Sequence, residues 1–145
     1  RCAVARGDKT LSMYVVDASD NGDDSKYKVG VAPVVSRTTY KKVSSMAYVS
    51  LSDVDAAADG WCLLCGDHAG DVNAYPVPLA SNGNDNYEKC KTVSKLLLGH
   101  TASILSRVKV VRNGSATNSI SLLTSDRDEK IRVSSFPRSF IVNGY

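Results

Sequence analysis

The sequence predicts an all-β chain assembled from repeated antiparallel sheets. Short runs rich in Val, Ile, Leu, Tyr and Thr alternate with clusters of Gly, Asn, Asp and Ser, the pattern of strands punctuated by turns. No stretch sustains an apolar helical period beyond about two turns. A turn that opens a strand recurs three times, in Arg6-Gly7-Asp8-Lys9-Thr10-Leu11, Asp67-His68-Ala69-Gly70-Asp71-Val72 and Asp126-Arg127-Asp128-Glu129-Lys130-Ile131. The first strand residues of these units, Leu11, Val72 and Ile131, stand 61 and 59 positions apart, which makes an internal repeat.

The elements follow in order from this frame. The first unit predicts strands over residues 2–5, 11–17 and 28–37. The second predicts strands over 43–51, 60–66, 71–77 and 91–97, and the third over 104–111, 119–124, 130–136 and 140–144. Residues 61–65 and 120–123 are apolar at nearly every position, as expected of inner strands with both faces covered. Between strands, residues 18–25 and 80–86 lack apolar side chains and read as surface insertions, with a shorter one at 112–118.

A Gly-His pair at Gly99-His100 precedes the third turn, and a Gly-His step followed by an Asp-containing turn that opens an apolar strand is how one blade of a WD-repeat β-propeller reads. In a regular blade the His, the turn Asp, a strand hydroxyl and a terminal Trp are joined by hydrogen bonds. His100 and Asp128 fill the first two roles. The hydroxyl position aligns with Asp126, with Ser125 or Thr124 as substitutes, and Ser134 stands where Trp is expected. The second unit opens on Lys41-Lys42-Val43 and has no Gly-His. A blade takes about 40–45 residues and a ring takes several, so 145 residues are expected to form an internal fragment of about two and a half to three blades. The divisions expected are a blade fragment over 1–39 and blades over 40–97 and 98–145.

Composition narrows the function. Eighteen Lys and Arg against 15 Asp and Glu leave a net charge of +3, too small for an electrostatic footprint on nucleic acid. No apolar run approaches the roughly 20 residues of a membrane span. Cys2, Cys62, Cys65 and Cys90 lack the density of a disulfide framework, so reduced thiols are expected. Cys62-x-x-Cys65 has the spacing of a zinc or redox motif, but residues three apart on a strand point to opposite faces and cannot converge on one ion. Asp126, Asp128 and Glu129 have no nucleophile, metal set or phosphate-cradling Gly loop beside them, so no catalytic, cofactor-binding or metal-binding residue is assigned.

The segment Leu-Thr-Ser-Asp-Arg-Asp-Glu-Lys-Ile-Arg-Val-Ser at 123–134, followed by Phe136-Pro137 and Phe140-Ile141-Val142, resembles the WD-repeat non-catalytic subunit of eukaryotic tRNA (guanine-N7-)-methyltransferase. That family also carries Ser in place of the blade Trp after Ile-Arg-Val. Gly66-Asp67-His68-Ala69-Gly70-Asp71-Val72 is similar to its Asp-Lys-x-Gly-Asp-Val turn, and Leu97-Leu98-Gly99-His100 with Ser103 and Leu105 to its Gly-His-x-Ser-x-Leu step. The departures are one extra residue after His100, Arg107 in place of an acid, and His68 in place of Lys.

The resemblance implies a subunit that performs no chemistry, binds a catalytic methyltransferase chain as a heterodimer, meets tRNA through that complex and resides in the nucleus. S-adenosylmethionine would sit on the partner chain. The resemblance places the contact at Arg127, Asp128, Glu129, Lys130 and Arg132. Strand alternation puts Ile131 and Val133 on one face and Lys130 and Arg132 on the other, and Arg132 is expected to orient Glu129. Two other readings stand beside this one. The chain could be a generic WD-repeat hub or substrate receptor, or Lys89, Lys91, Lys95, Arg107, Lys109 and Arg112 could bind RNA directly.

Overall fold

The computed structural model describes residues 2–14, 16–18, 27–29, 33, 35–50, 60–77, 95–100, 103–112 and 120–136. They form twelve strands: β1 (Cys2–Ala5), β2 (Thr10–Tyr14), β3 (Val16–Ala18), β4 (Tyr27–Val29), β5 (Val35–Thr38), β6 (Val43–Ser50), β7 (Trp61–Asp67), β8 (Asp71–Val77), β9 (Lys95–Gly99), β10 (Leu105–Arg112), β11 (Ile120–Asp126) and β12 (Ile131–Phe136). All pairings are antiparallel, in sheets ordered β1-β2-β5, β6-β7-β8-β9 and β10-β11-β12, with β3 and β4 as a separate hairpin. This is the β-propeller arrangement expected from the repeat. The hairpin lies within the strand expected at 11–17 and at the start of 28–37, which therefore break into β2 and β3 and into β4 and β5. The strand expected at 140–144 and the insertion at 80–86 lie outside the described residues.

The middle sheet is packed on both faces because its strands alternate apolar residues on both sides. Cys62, Leu64, Val72 and Ala74 face the third sheet and join Leu105, Val108, Ile120, Leu122 and Phe136 in one core. Leu63, Cys65, Tyr75 and Val77 face the first sheet and join Leu11, Met13 and Val35 in another. The guanidinium of Arg37 lies 4.5 Å from the centre of the Tyr75 ring, closing that second core with a cation on an aromatic face. The two cysteines indeed point to opposite cores. Burial raises their thiols, Cys62 to about 11 and Cys65 to about 12, so both remain protonated and unreactive at neutral pH. Among the described residues the third sheet is covered on one face, and β11 buries Ile120, Leu122, Thr124 and Asp126 while Ser121, Leu123 and Ser125 are half-buried. Its apolar run is therefore less enclosed than the sequence suggests.

Each unit turns in the same way. The fourth turn residue takes a left-handed backbone, with φ of 70° at Lys9, 93° at Gly70 and 64° at Glu129. Only Gly does so without a side-chain penalty, which for the other two is roughly 1–2 kcal/mol. The left-handed step aims a carbonyl at the entry to the next sheet. Thr39 N–H donates to Lys9 O (2.8 Å) and His100 N–H to Gly70 O (2.7 Å). Thr39 thus occupies in the second unit the place of His100, 61 residues later.

The middle and third sheets are joined at matching bulges in β6 and β10, between Val43 and Ser45 and between Leu105 and Arg107. Ser44 Oγ shares its proton between Leu105 O (2.5 Å) and Gly66 O (3.1 Å), and Val108 N–H donates to Ser45 Oγ (2.8 Å). A Cβ on Gly66 would stand 2.8 Å from Val108 Cγ2 and 3.0 Å from Leu105 Cδ1. Gly66 is thus what lets the two sheets approach. Gly66→Ala should destabilise the protein by about 1–3 kcal/mol in denaturant unfolding through overpacking. Gly7→Ala, where nothing lies within 4 Å of the added methyl, should leave the midpoint within about 0.5 kcal/mol of the parent.

Candidate interaction site

The charged turn at residues 126–130 is held from below by a buried polar set. His100 is 6% exposed and lies over the end of β11. Its Nδ1 sits 2.9 Å from Asp126 Oδ2 and its Nε2 2.7 Å from Thr124 Oγ1. A carboxylate only accepts, so Nδ1 carries a proton and donates to Asp126, while Nε2 and the Thr124 hydroxyl share the second hydrogen bond. The other Asp126 oxygen, Oδ1, accepts from Lys130 N–H at 2.9 Å, and Asp126 N–H donates to Lys130 O at 3.0 Å. Arg127 N–H donates to Ile104 O at 2.9 Å, fastening the turn to the segment that enters β10. Burial pushes the Asp126 carboxyl up, but hydrogen bonds from Lys130 N–H, His100 and Asp128 N–H outweigh it and hold the group below its usual range.

This corrects the pairing of His100 with Asp128. Alternation along β11 sends Ile120, Leu122, Thr124 and Asp126 to the face that His100 covers, whereas Asp128 lies beyond the strand in the exposed turn. Asp128 instead faces Arg127, whose Nε is 3.7 Å from Asp128 Oδ1, with side chains 51% and 67% exposed respectively. Of the hydroxyls weighed, Thr124 is the one used. The expected pairing of Arg132 with Glu129 also gives way. Arg132 Nη1 donates to Gly99 O at 2.6 Å, because β12 alternation points it toward the middle sheet, while Glu129 occupies the left-handed turn position.

The middle unit shows what the set does by lacking it. Among the described residues, Asp67, the counterpart of Asp126, has backbone donors at its Oδ1, Ala69 N–H at 2.8 Å and Asp71 N–H at 3.1 Å. Thr39, the counterpart of His100, shares its hydroxyl proton between Lys9 O (3.0 Å) and Lys41 O (2.7 Å), both backbone carbonyls. Asp71 is raised by burial and then by the Asp67 charge. Gly70 has its own constraint, since a Cβ there would stand 2.5 Å from His100 O. The role of Thr39 was legible only through the repeat spacing, for its immediate sequence carries no Gly-His signal.

The arrangement leaves Arg127, Asp128, Glu129 and Lys130 exposed on a turn whose base is fixed. No group of three or more His, Cys, Asp or Glu among the described residues could hold a metal ion. Among the cations considered for RNA, Arg107, Lys109 and Arg112 are exposed on β10, while Lys89 and Lys91 lie outside the described residues.

Comparison with known proteins shows what this segment is similar to. Residues 79–145 match the family model of the tRNA methyltransferase TRM82 WD40 domain. Over these residues the chain is similar to that WD40 domain. It is 31% identical over 136 residues to the tRNA (guanine-N(7)-)-methyltransferase non-catalytic subunit wuho of Aedes aegypti, covering 93% of this chain and 27% of that protein. It is 28% identical over 141 residues to the corresponding non-catalytic subunit TRM82 of Kluyveromyces lactis, covering 97% of this chain and 27% of that one. The TRM82 subunit of Candida glabrata is also 28% identical over 141 residues, with 97% of this chain and 29% of the relative covered. The chain thus spans 27–29% of the length of these relatives.

The polar set beneath the charged turn can be tested directly. Thr124→Val removes the hydrogen-bond partner of a buried ring nitrogen and should cost about 1–3 kcal/mol in denaturant unfolding. His100→Ala, which strands both partners, should cost more. Because the folded Asp126 pKa is depressed, its contribution is fully present above the ordinary value of 3.8 and is lost as pH falls through the lower folded value. Asp126→Asn should therefore flatten the acid limb of the stability curve relative to the parent below about pH 4.

Proposed function

We propose that this chain is part of a non-catalytic scaffold subunit that binds and stabilises the catalytic chain forming N7-methylguanosine in tRNA. The observation that carries the reading is the turn itself. Four charged side chains are exposed on a backbone locked from behind by His100, Asp126 and Thr124, in a segment matched by the TRM82 domain model. A pre-ordered ionic turn loses little conformational entropy on docking, and exposed charges at an interface rim set register and encounter rate. Arg127, Asp128, Glu129 and Lys130 would meet complementary charges on the partner. Arg132 acts from behind, fastening β12 to Gly99 O so that the turn keeps its angle to the middle sheet.

In this reading S-adenosylmethionine and the methyl transfer belong to the catalytic chain, tRNA is met through the complex, and the complex works in the nucleus. The names of the relatives support it, since each is a non-catalytic subunit of tRNA (guanine-N(7)-)-methyltransferase.

The test is co-purification of the full-length protein with the catalytic methyltransferase chain. Glu129→Lys and Asp128→Lys leave the buried set intact and should weaken the complex about tenfold or more while thermal unfolding stays unchanged. Arg132→Leu should lower stability by about 1 kcal/mol and weaken the complex less than Glu129→Lys. Undiminished co-purification of both turn variants would overturn the assignment of the contact. Failure of the parent to associate at all, with another protein captured in its place, would favour a general WD-repeat hub.

A further inference from the structure

The connector from the first sheet to the second is pinned as firmly as the charged turn, and it too leaves its side chains outside. Thr39 is 6% exposed. Its N–H donates to Lys9 O (2.8 Å), and its hydroxyl lies 3.0 Å from Lys9 O and 2.7 Å from Lys41 O. His68 N–H donates to Lys42 O at 3.0 Å, so both ends of the connector are tied to a neighbouring turn. On this fixed backbone Tyr40, Lys41 and Lys42 are exposed. Tyr40 is the most exposed large hydrophobic side chain among the described residues, at 83%. The Lys41 ammonium stands over its ring, 5.2 Å from the centre. The first turn adds Arg6 and Lys9, both exposed. Lys9 keeps its place against a backbone preference, with φ of 70° at the position where the second unit has Gly70. A cation retained where Gly would relieve the strain points to a task for its side chain.

We propose that Lys9, Tyr40, Lys41 and Lys42 form a docking corner for an acidic segment of a partner protein, separate from the charged turn at 126–130. The charge there is one-sided. Residues 6–9 and 40–42 carry four cations and one carboxylate, Asp8. Asp8 is already engaged, since its Oδ1 accepts Thr10 N–H at 2.9 Å, and hydrogen bonds from Thr10 with the Arg6 charge beside it hold the carboxyl below its usual range. Among the described residues, Lys9, Lys41 and Lys42 are left to meet an outside anion. A protein carboxylate fits this corner better than a nucleic acid backbone. The chain's net charge of +3 supplies little long-range field to steer a polyanion. A base stacking on the near face of Tyr40 would have to displace the Lys41 ammonium, whereas a carboxylate can bond that ammonium where it stands, with the ring beneath holding it in position. Asp8 within the corner, and Asp128 and Glu129 farther along the same row of turns and connectors, interrupt the run of positive charge that a continuous phosphate backbone follows. A short acidic segment needs no such run. Tyr is also enriched at protein interfaces, where its ring offers contact area at low entropic cost.

The experiment follows the fluorescence anisotropy of a fluorescein-labelled hexaglutamate peptide with the full-length protein at low salt, alongside hexaserine and an oligouridine of matching length. Hexaglutamate should bind without any catalytic chain present, hexaserine should not, and binding should weaken as salt rises. Lys41→Glu combined with Lys42→Glu should lower the affinity about tenfold or more while thermal unfolding stays unchanged. Lys41→Ala with Lys42→Ala provides a second pair should the first fail to fold. Tyr40→Ala should lower the affinity about threefold, the loss expected of one exposed cation–π contact, and Tyr40→Phe should not. Lys9→Gly should weaken peptide binding about threefold and raise the denaturation midpoint together, a combination that a merely structural lysine would not give. Absence of hexaglutamate binding by the parent would overturn the proposal, as would equal affinity in the Lys41 and Lys42 variants. Tighter binding of oligouridine, lost in those same variants, would overturn the carboxylate assignment and make the corner a nucleic acid contact.

Discussion

Burial of the middle sheet on both faces is the constraint from which the rest of this structure follows. A strand covered on one side can alternate apolar and polar residues, but β7 has to satisfy two cores at once, so Cys62 and Leu64 serve one while Leu63 and Cys65 serve the other. Two-sided cover also forces the neighbouring sheets close together, and the closest approach falls at Gly66, where any side chain would strike Val108. Once the sheets are that near, backbone groups at their edges are taken from water and need partners. Ser44 and Ser45, presented by the bulge in β6, supply a donor and an acceptor there.

The same stacking sets the demands on the turns. The first two turns return their strands and also offer a carbonyl to the chain entering the following sheet, and in all three the fourth residue takes the left-handed backbone this geometry requires. Gly70 meets this demand at no side-chain penalty, while Lys9 and Glu129 carry one that the surrounding hydrogen bonds offset. In the third unit that support is strongest, because His100 bridges Asp126 and Thr124 and the Asp126 carboxylate in turn holds Lys130 N–H. A rigid base under four exposed charges separates the two tasks of the segment, with the even-numbered residues of β11 carrying stability and the turn residues left free for recognition.

The third sheet shows how one sequence pattern meets two environments. Ile131 and Val133 hold the same register positions as Val72 and Ala74, yet they are exposed where the others are buried. Their burial is a property of what lies opposite and not of the strand that carries them. Arg107 and Lys109, in the rows of Ser45 and Ala47, place two cations side by side on that face.

The sequence by itself determined the all-β class, the three-fold recurrence of turn and strand, the opposed directions of Cys62 and Cys65, and the resemblance that the TRM82 domain match bears out over residues 79–145. These are legible because alternation, turn chemistry and repeat spacing are local and leave a direct imprint on residue order. Only the tertiary structure decided that His100 bonds Asp126 in place of Asp128 and that Arg132 reaches Gly99 O instead of Glu129. Each of those choices turns on which face a side chain presents and which carbonyl or carboxylate then comes within about 3 Å, and a shift of one or two residues along a strand reverses the answer.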